Sequence, residues 1–292
     1  MRPFVGLWSW RTAGKGAAVA IVTISRKSGT GAKDIAGTIA KRLRYEFVSK
    51  DSIYKEIEEH GKKWLDWVAR LDEHAPTLWE RYDQSHAAYL ALMEHCIYKN
   101  ALKNNVVILG RGGNYLLENI PYSLRVRITA STEDRGKVLC GRFGIDDAAA
   151  RKILKRSDHE RSIYIQKAYH RQWANPDDYD MTLNSGHLGF EEMVALIVSE
   201  IPARERLFTP ETGEKLHRLE LASRVKAEIV TRFSMFIRTL EVHHDGTDIV
   251  LRGVCLLTKE KKQELMETAM RAAGSTRIRS ELYTGAPDGE ES

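Results

Sequence analysis

Apolar positions in the first two-thirds of the chain follow two alternating periods. Residues 19–24 form a short β-branched apolar run, the pattern of a strand buried on both faces. Over 34–44, Ile35, Ile39, Ala40 and Leu43 recur at helical spacing. Phe47 and Val48 mark a second short strand, and Asp51 or Ser52 caps a helix running through Ile57. Residues 78–103 carry Tyr82, His86, Tyr89, Leu90, Met93, Cys96 and Ile97 on one side and predict a long helix. Residues 106–109 and 124–129 are further buried strands, the second followed by a helix capped at Ser131 or Thr132. A charged helix over 146–168, a strand over 181–183 and a helix over 190–201 complete the series. Such alternation predicts an α/β fold, a parallel sheet flanked by helices.

Pro202, Pro210 and Gly213 then fall among charged residues, which predicts a linker over 204–214. Past it the pattern becomes helix (219–231), two strands (239–243 and 249–253) around Asp245-Gly246, helix (259–272) and strand (277–283). The expected organisation is an N-terminal extension over 1–18, a main domain over 19–203, and a small α-β-β-α-β domain over 215–284. Residues 285–292 are an acidic tail with no means of burying itself.

Composition narrows the function. With 42% hydrophobic and 29% charged residues the chain has an ordinary globular balance. Its net charge of +5 is spread along the length, which suits an anionic ligand and lacks the clustered footprint of a nucleic-acid binder. No apolar run approaches the roughly 20 residues of a membrane span. Three cysteines with no C-x-x-C argue against a zinc site and for a reducing, cytoplasmic setting.

The chemistry concentrates at Ser25-Arg-Lys-Ser-Gly-Thr-Gly-Ala-Lys-Asp34, between a buried strand and a helix. Glycines there let backbone amides turn inward, and a helix N-terminus adds partial positive charge toward an anion. Aligned on Gly31, a regular phosphate loop would have glycine where Arg26 stands, lysine where Ala32 stands and a hydroxyl where Lys33 stands. The cation is one residue late, a rotation of about 100° on a helix. Arg111, flanked by glycines after a buried strand, falls at the sheet edge where open α/β folds bind ligands. Read alone, Arg135 is more simply a solvated or salt-bridged surface residue, 155–161 an exposed charge run, and Asp177, Asp178 and Asp180 a turn after Pro176.

Five segments in order carry a resemblance: residues 24–36, 106–115, 124–135, 157–161 and 175–184. Together they resemble the cytidylate-kinase-like family of P-loop nucleoside-monophosphate kinases over about residues 20–201. The resemblance implies transfer of the γ-phosphoryl group of ATP to a nucleoside monophosphate, with Mg2+. It implies that Ser28, Gly29, Thr30, Gly31, Ala32, Lys33 and Asp34 surround the donor phosphates, Asp34 being the nearest substitute for the metal-ligating hydroxyl. Lys50, Asp51, Arg111 and Arg135 fall at the acceptor side, and Arg156, Asp158, Glu160 and Arg161 in a mobile lid. Lys33, Arg156 and Arg161 are the cations expected at the transferred group. Because the lysine is displaced, the alternative is a nucleotide-binding regulator with weak turnover. The unit over 215–284 resembles a BON domain in element order and in Asp245-Gly-Thr-Asp-Ile-Val-Leu-Arg-Gly253, which implies contact with a membrane, another macromolecule or a second subunit.

Overall fold

A computed structural model describes residues 19–59, 61, 84–233, 239–254 and 258–283. The extension over 1–18, the tail over 285–292, Trp64, Trp79 and the first residues of the helix expected over 78–103 lie outside the described residues.

Two sheets organise the described residues. The first is parallel, built from β1 (Ile21–Arg26), β2 (Glu46–Val48), β3 (Val106–Leu109), β4 (Ser123–Thr129) and β5 (Met181–Asn184). Its strand order is β2-β3-β1-β4-β5, so β1 is central and flanked by β3 and β4. The connection reverses direction across β1, and the crevice beyond the C-terminal ends of β1, β3 and β4 is the ligand position of such sheets. β3 is apolar throughout and β1 is buried over Ile21–Ser25, because helices cover both faces of the sheet.

Those helices are α1 (Ala32–Leu43), α2 (Lys50–Glu58), α3 (Gln84–Ala101), the short α4 (Gly113–Leu116), α5 (Thr132–Phe143), α6 (Asp147–Tyr169) and α7 (Phe190–Glu205). One apolar cluster lies on the α3 side of the sheet and includes Ile21, Val106, Ile108, Tyr89, Leu92 and Ile97. The other lies under α1 and α7 and includes Val22, Ile24, Ile35, Ile39, Val194 and Ile197. Ser131 caps α5 by accepting from the Asp134 amide at 3.0 Å, and Asp146 caps α6 by accepting from Ala149 at 2.7 Å.

The expected linker takes a different form. α7 continues through Pro202 to Glu205, and α8 (Pro210–Phe233) begins at the second proline, leaving 206–209 between them. Pro210 at a helix start loses no intrahelical bond, since the first amides of a helix are unpaired anyway. α8 then leads into β6 (Glu241–His244), β7 (Ile249–Val254), α9 (Lys259–Ala273) and β8 (Ile278–Tyr283). These strands make a separate three-stranded sheet, β6-β7-β8, antiparallel then parallel. α8 serves both cores: Leu216, Ala227 and Val230 join the cluster around α3, while Leu221, Val225, Ile229 and Phe233 join that of the small sheet.

Candidate active site

The loop after β1 is shaped by two glycines in left-handed conformation, Gly29 (φ 80°) and Gly31 (φ 70°). A Cβ on Gly29 would lie 2.8 Å from the Leu139 side chain and 3.0 Å from the Arg135 carbonyl, so the loop is backed directly by α5. Gly31 faces open space and is the N-cap of α1. Thr30 is buried and donates its hydroxyl to the Lys27 carbonyl at 2.9 Å, closing the turn from below. An open turn of amides at the start of a 12-residue helix results, a favourable place for an anion.

After β3 the chain turns through three consecutive left-handed residues, Gly110 (φ 81°), Arg111 (φ 58°) and Gly112 (φ 72°). For arginine this conformation costs about 1–2 kcal/mol, tolerated when the surroundings fix it. Arg111 is buried; its guanidinium donates to the Tyr54 hydroxyl at 3.1 Å and lies 5.3 Å from that ring's centre. Its carbonyl accepts from the Tyr169 hydroxyl at 2.8 Å. Burial pushes the Tyr169 phenol well above its ordinary pKa, so it is a fixed donor.

α6 closes over both loops. Ser157 and Ser28 share a hydroxyl hydrogen bond of 2.8 Å, and Arg161 donates to the Arg26 carbonyl at 3.2 Å. Arg135 is almost completely buried and grips Asp158 of α6 through both Nη atoms, at 3.2 and 2.9 Å, while also donating to the Ser28 carbonyl at 3.3 Å. Between these contacts lies a cavity of about 30 Å³ lined by Arg26, Arg111 and Arg161. That is room for about two waters and too little for a nucleotide.

The other candidates spread around this centre. Lys33 and Asp51 pair at 3.6 Å across α1 and α2, both largely exposed (68% and 72%), so the displaced lysine stands at the rim facing α2. Lys50 lies 5.1 Å from the centre of the Tyr54 ring that Arg111 also faces. Arg156 pairs with Glu160 at 3.6 Å along α6 and is 73% exposed, on the outer surface of the lid. Arg135 reaches the Ser28 carbonyl and Asp158 of α6, whereas Arg111 reaches Tyr54 of α2. Asp34 is exposed in the first turn of α1.

Some cations at this edge were not singled out by sequence. Arg26 ends β1, and a Cβ on Gly110 would lie 2.3 Å from its Nη1. Lys27 follows it, half-buried; burial pulls its ammonium below the usual lysine range, Asp158 opposing and Arg135 and Arg127 adding to the effect. Arg127 is buried between Trp173 (4.7 Å to the ring centre) and Tyr179 (5.2 Å), donating to the Tyr179 hydroxyl at 3.0 Å and to the Trp173 carbonyl. Trp173 in turn donates to Ser25 at 3.1 Å. The available signal is positional: Arg26 and Lys27 stand at the C-terminal end of a buried strand, near where Arg111 stands after its own.

A Gly-rich strand-to-helix loop at the central strand of a five-stranded parallel sheet, with guanidiniums gathered opposite and a helical lid, defines a P-loop kinase fold. The model of the cytidylate kinase-like family matches residues 21–187, and the chain belongs to that family. It is therefore a phosphotransferase, a nucleotide kinase. A cytidylate kinase of Ignicoccus hospitalis is 29% identical over 183 residues, 61% of this chain and 96% of that one. One of Archaeoglobus fulgidus is 24% identical over 63% of this chain and 96% of its own. The crystal structure of an uncharacterized protein from Eubacterium ventriosum has the same fold, with a TM-score of 0.50 at 20% identity over 63% of this chain and 99% of that one.

Proposed function

We propose that the domain transfers the γ-phosphoryl group of ATP to a nucleoside monophosphate of the cytidylate type. The observation that carries this reading is the convergence of Arg26, Arg111 and Arg161, from three separate elements, on one cavity beside the Gly-rich loop. Curated relatives named cytidylate kinase support the choice of acceptor.

In this reading the amides of Ser28, Gly29, Thr30, Gly31, Ala32, Lys33 and Asp34, with the α1 N-terminus, hold the donor phosphates. Lys27 and Arg135, beside that loop, take the share of charge that the missing lysine would supply. Arg111 holds the acceptor phosphate, with Lys50 and Asp51 at the mouth of the acceptor side. An unprotonated oxygen of the acceptor monophosphate attacks the γ-phosphorus. The bond to the β,γ-bridging oxygen breaks and its electron pair leaves with ADP, so no general base is required. Arg26 and Arg161 neutralise charge on the group in flight, where most of the barrier lowering arises. The lid keeps water, the competing acceptor, away.

Among the described residues no group of three or more His, Cys, Asp or Glu could cage a metal. That fits Mg2+, which keeps waters and is carried by substrate phosphates with one or two carboxylates. Asp34, in the first turn of α1 after the loop, would be the carboxylate to hold Mg2+, which would supply neutralisation of charge on the donor phosphates.

Lys33, held at the rim by Asp51, favours a second reading in which nucleotides bind but turn over slowly. The α8-β6-β7-α9-β8 order supports a BON-like interaction module at the C-terminus. The free thiols Cys96 and Cys140 support a reducing, cytoplasmic setting. ADP release coupled to NADH oxidation, with CMP, dCMP, UMP and AMP offered in turn, separates the readings. The proposal expects the highest kcat/KM with CMP or dCMP. Tight binding without turnover selects the regulator, and neither binding nor turnover with any acceptor removes both.

A further inference from the structure

The C-terminal unit carries a second cationic recess that phosphoryl transfer does not use. It is a groove of about 670 Å³ between α8 and the C-terminal end of α9, within the size range of small-molecule sites. Arg224 and Arg232 reach it from α8 and Arg271 from α9, over a floor that includes Leu221 and Ala272. Glu228 is the acidic residue on its wall, so the lining is net positive.

The cations are poorly matched within the protein. Arg232 stands 4.0 Å from Glu228 and Arg224 stands 3.9 Å from Glu220, both at the limit of an ion pair. Arg271 is exposed and has no ion-pair partner among the described residues. Thr268 is only 3% exposed, yet its hydroxyl has no hydrogen-bond partner among the described residues. The Nε–H of Arg224 is buried and unpartnered in the same way. Buried donors are nearly always satisfied, so two orphans lining one groove point to a group that completes them.

Guanidinium forks match phosphate oxygens in pairs, and an apolar floor suits a sugar or base. We propose that this groove binds a soluble organic phosphate of nucleotide size, and that α8 reports its occupancy to the kinase domain. The route is short. Glu220 Oε1 lies 3.9 Å from Arg224 Nε on the groove side and 3.7 Å from His95 Nδ1 of α3 on the kinase side. His95 and Glu220 are both buried (8% and 7% exposed), so an anion that engages Arg224 alters the charge balance of a pair inside the interface. Lys226, on the same helix, ties α8 to Glu94 of α3 at 3.0 Å.

Equilibrium dialysis of the full chain with β,γ-imido-ATP and with CDP tests this against the double variant R232Q/R271Q. Both arginines are exposed, so the variant keeps its fold. The inference expects wild type to bind one more equivalent per chain than the variant for at least one probe, the groove affinity falling roughly 30-fold or more when two charge-assisted contacts go. What the variant still binds reads the kinase site, so failure of the proposed kinase function is not confused with failure of the groove. T268V, close in shape, is expected to weaken the groove class several-fold and leave the other untouched. Equal stoichiometry and affinity in wild type and R232Q/R271Q for both probes overturns the inference. So does co-sedimentation with phosphatidylglycerol vesicles that R232Q/R271Q abolishes while nucleotide binding is unchanged, since the phosphate recognised is then a lipid headgroup.

Discussion

Arg111 is held in a left-handed conformation between Gly110 and Gly112, with its guanidinium buried against Tyr54 and its carbonyl tied to Tyr169. The packing that fixes it is tight enough to test. A Cβ on Gly112 would fall 2.2 Å from the Tyr169 ring, at φ 72°. Gly112→Ala is therefore expected to destabilise the protein by roughly 2–4 kcal/mol, from overpacking and backbone strain together. Thermal denaturation measures this, and adding Tyr169→Ala is expected to relieve part of the loss; a cycle with no coupling contradicts the account. At this scale Arg111 was legible, because its place after a buried strand and between glycines is local information. Beyond their place in or just after a strand, nothing local marks Arg26, Lys27 and Arg127. Their convergence with Arg111 and Arg161 is set by sheet order and by the lid, which no local pattern records. Lys33 was seen as rotated out of its usual place, and the structure turns it toward Asp51 at the rim.

Among the elements, α6 is the one that the proposed function requires to move. It is held down by Ser157, Asp158, Arg161 and Tyr169, and anchored on α5 by a small cluster of Leu139, Ala150 and Leu154. Asp158→Asn removes the partner of the buried Arg135, and is expected to destabilise the closed lid by about 2–4 kcal/mol. The readout is a higher ratio of ATP hydrolysis to transfer, since a loose lid admits water; an unchanged ratio contradicts this role. A second test concerns β4 and β5. Burial alone would raise the Asp180 carboxyl, but hydrogen bonds from the Arg125 side chain (2.9 and 3.2 Å) and amide (2.8 Å) outweigh it and hold it below the usual range. A lowered carboxyl contributes stability above its unfolded-state pKa of about 3.9 and loses it as pH falls through the folded-state value. Asp180→Asn should thus melt below wild type at neutral pH, and the gap should close in acid. A gap that persists at about pH 2 contradicts the assignment. Element types were largely legible here, since buried strands and amphipathic helices announce themselves by period. The junction over 204–214 was not: prolines that punctuate a sequence are compatible with a helix interior near its end (Pro202) and with a helix start (Pro210).

At the scale of the whole molecule, α8 joins the two units by sharing side chains with both cores. Leu216, Ala227 and Val230 pack into the cluster around α3, so a chain ending at residue 209 exposes that face. Its melting temperature is expected to fall by more than about 10 °C, or the fragment to be insoluble. A fragment as stable as the full chain would show that the kinase core closes without α8. The central claim, that the Gly-rich loop and the gathered guanidiniums form one phosphoryl-transfer site, is tested most directly by a single-turnover reaction with γ-labelled ATP and CMP, comparing wild type with Arg111→Gln. The account predicts labelled CDP from wild type and a rate at least about 100-fold lower from the variant, the loss of a charge-assisted contact at the site of chemistry. Equal rates in the two proteins, or no labelled nucleotide from wild type with CMP or any other monophosphate, would contradict it.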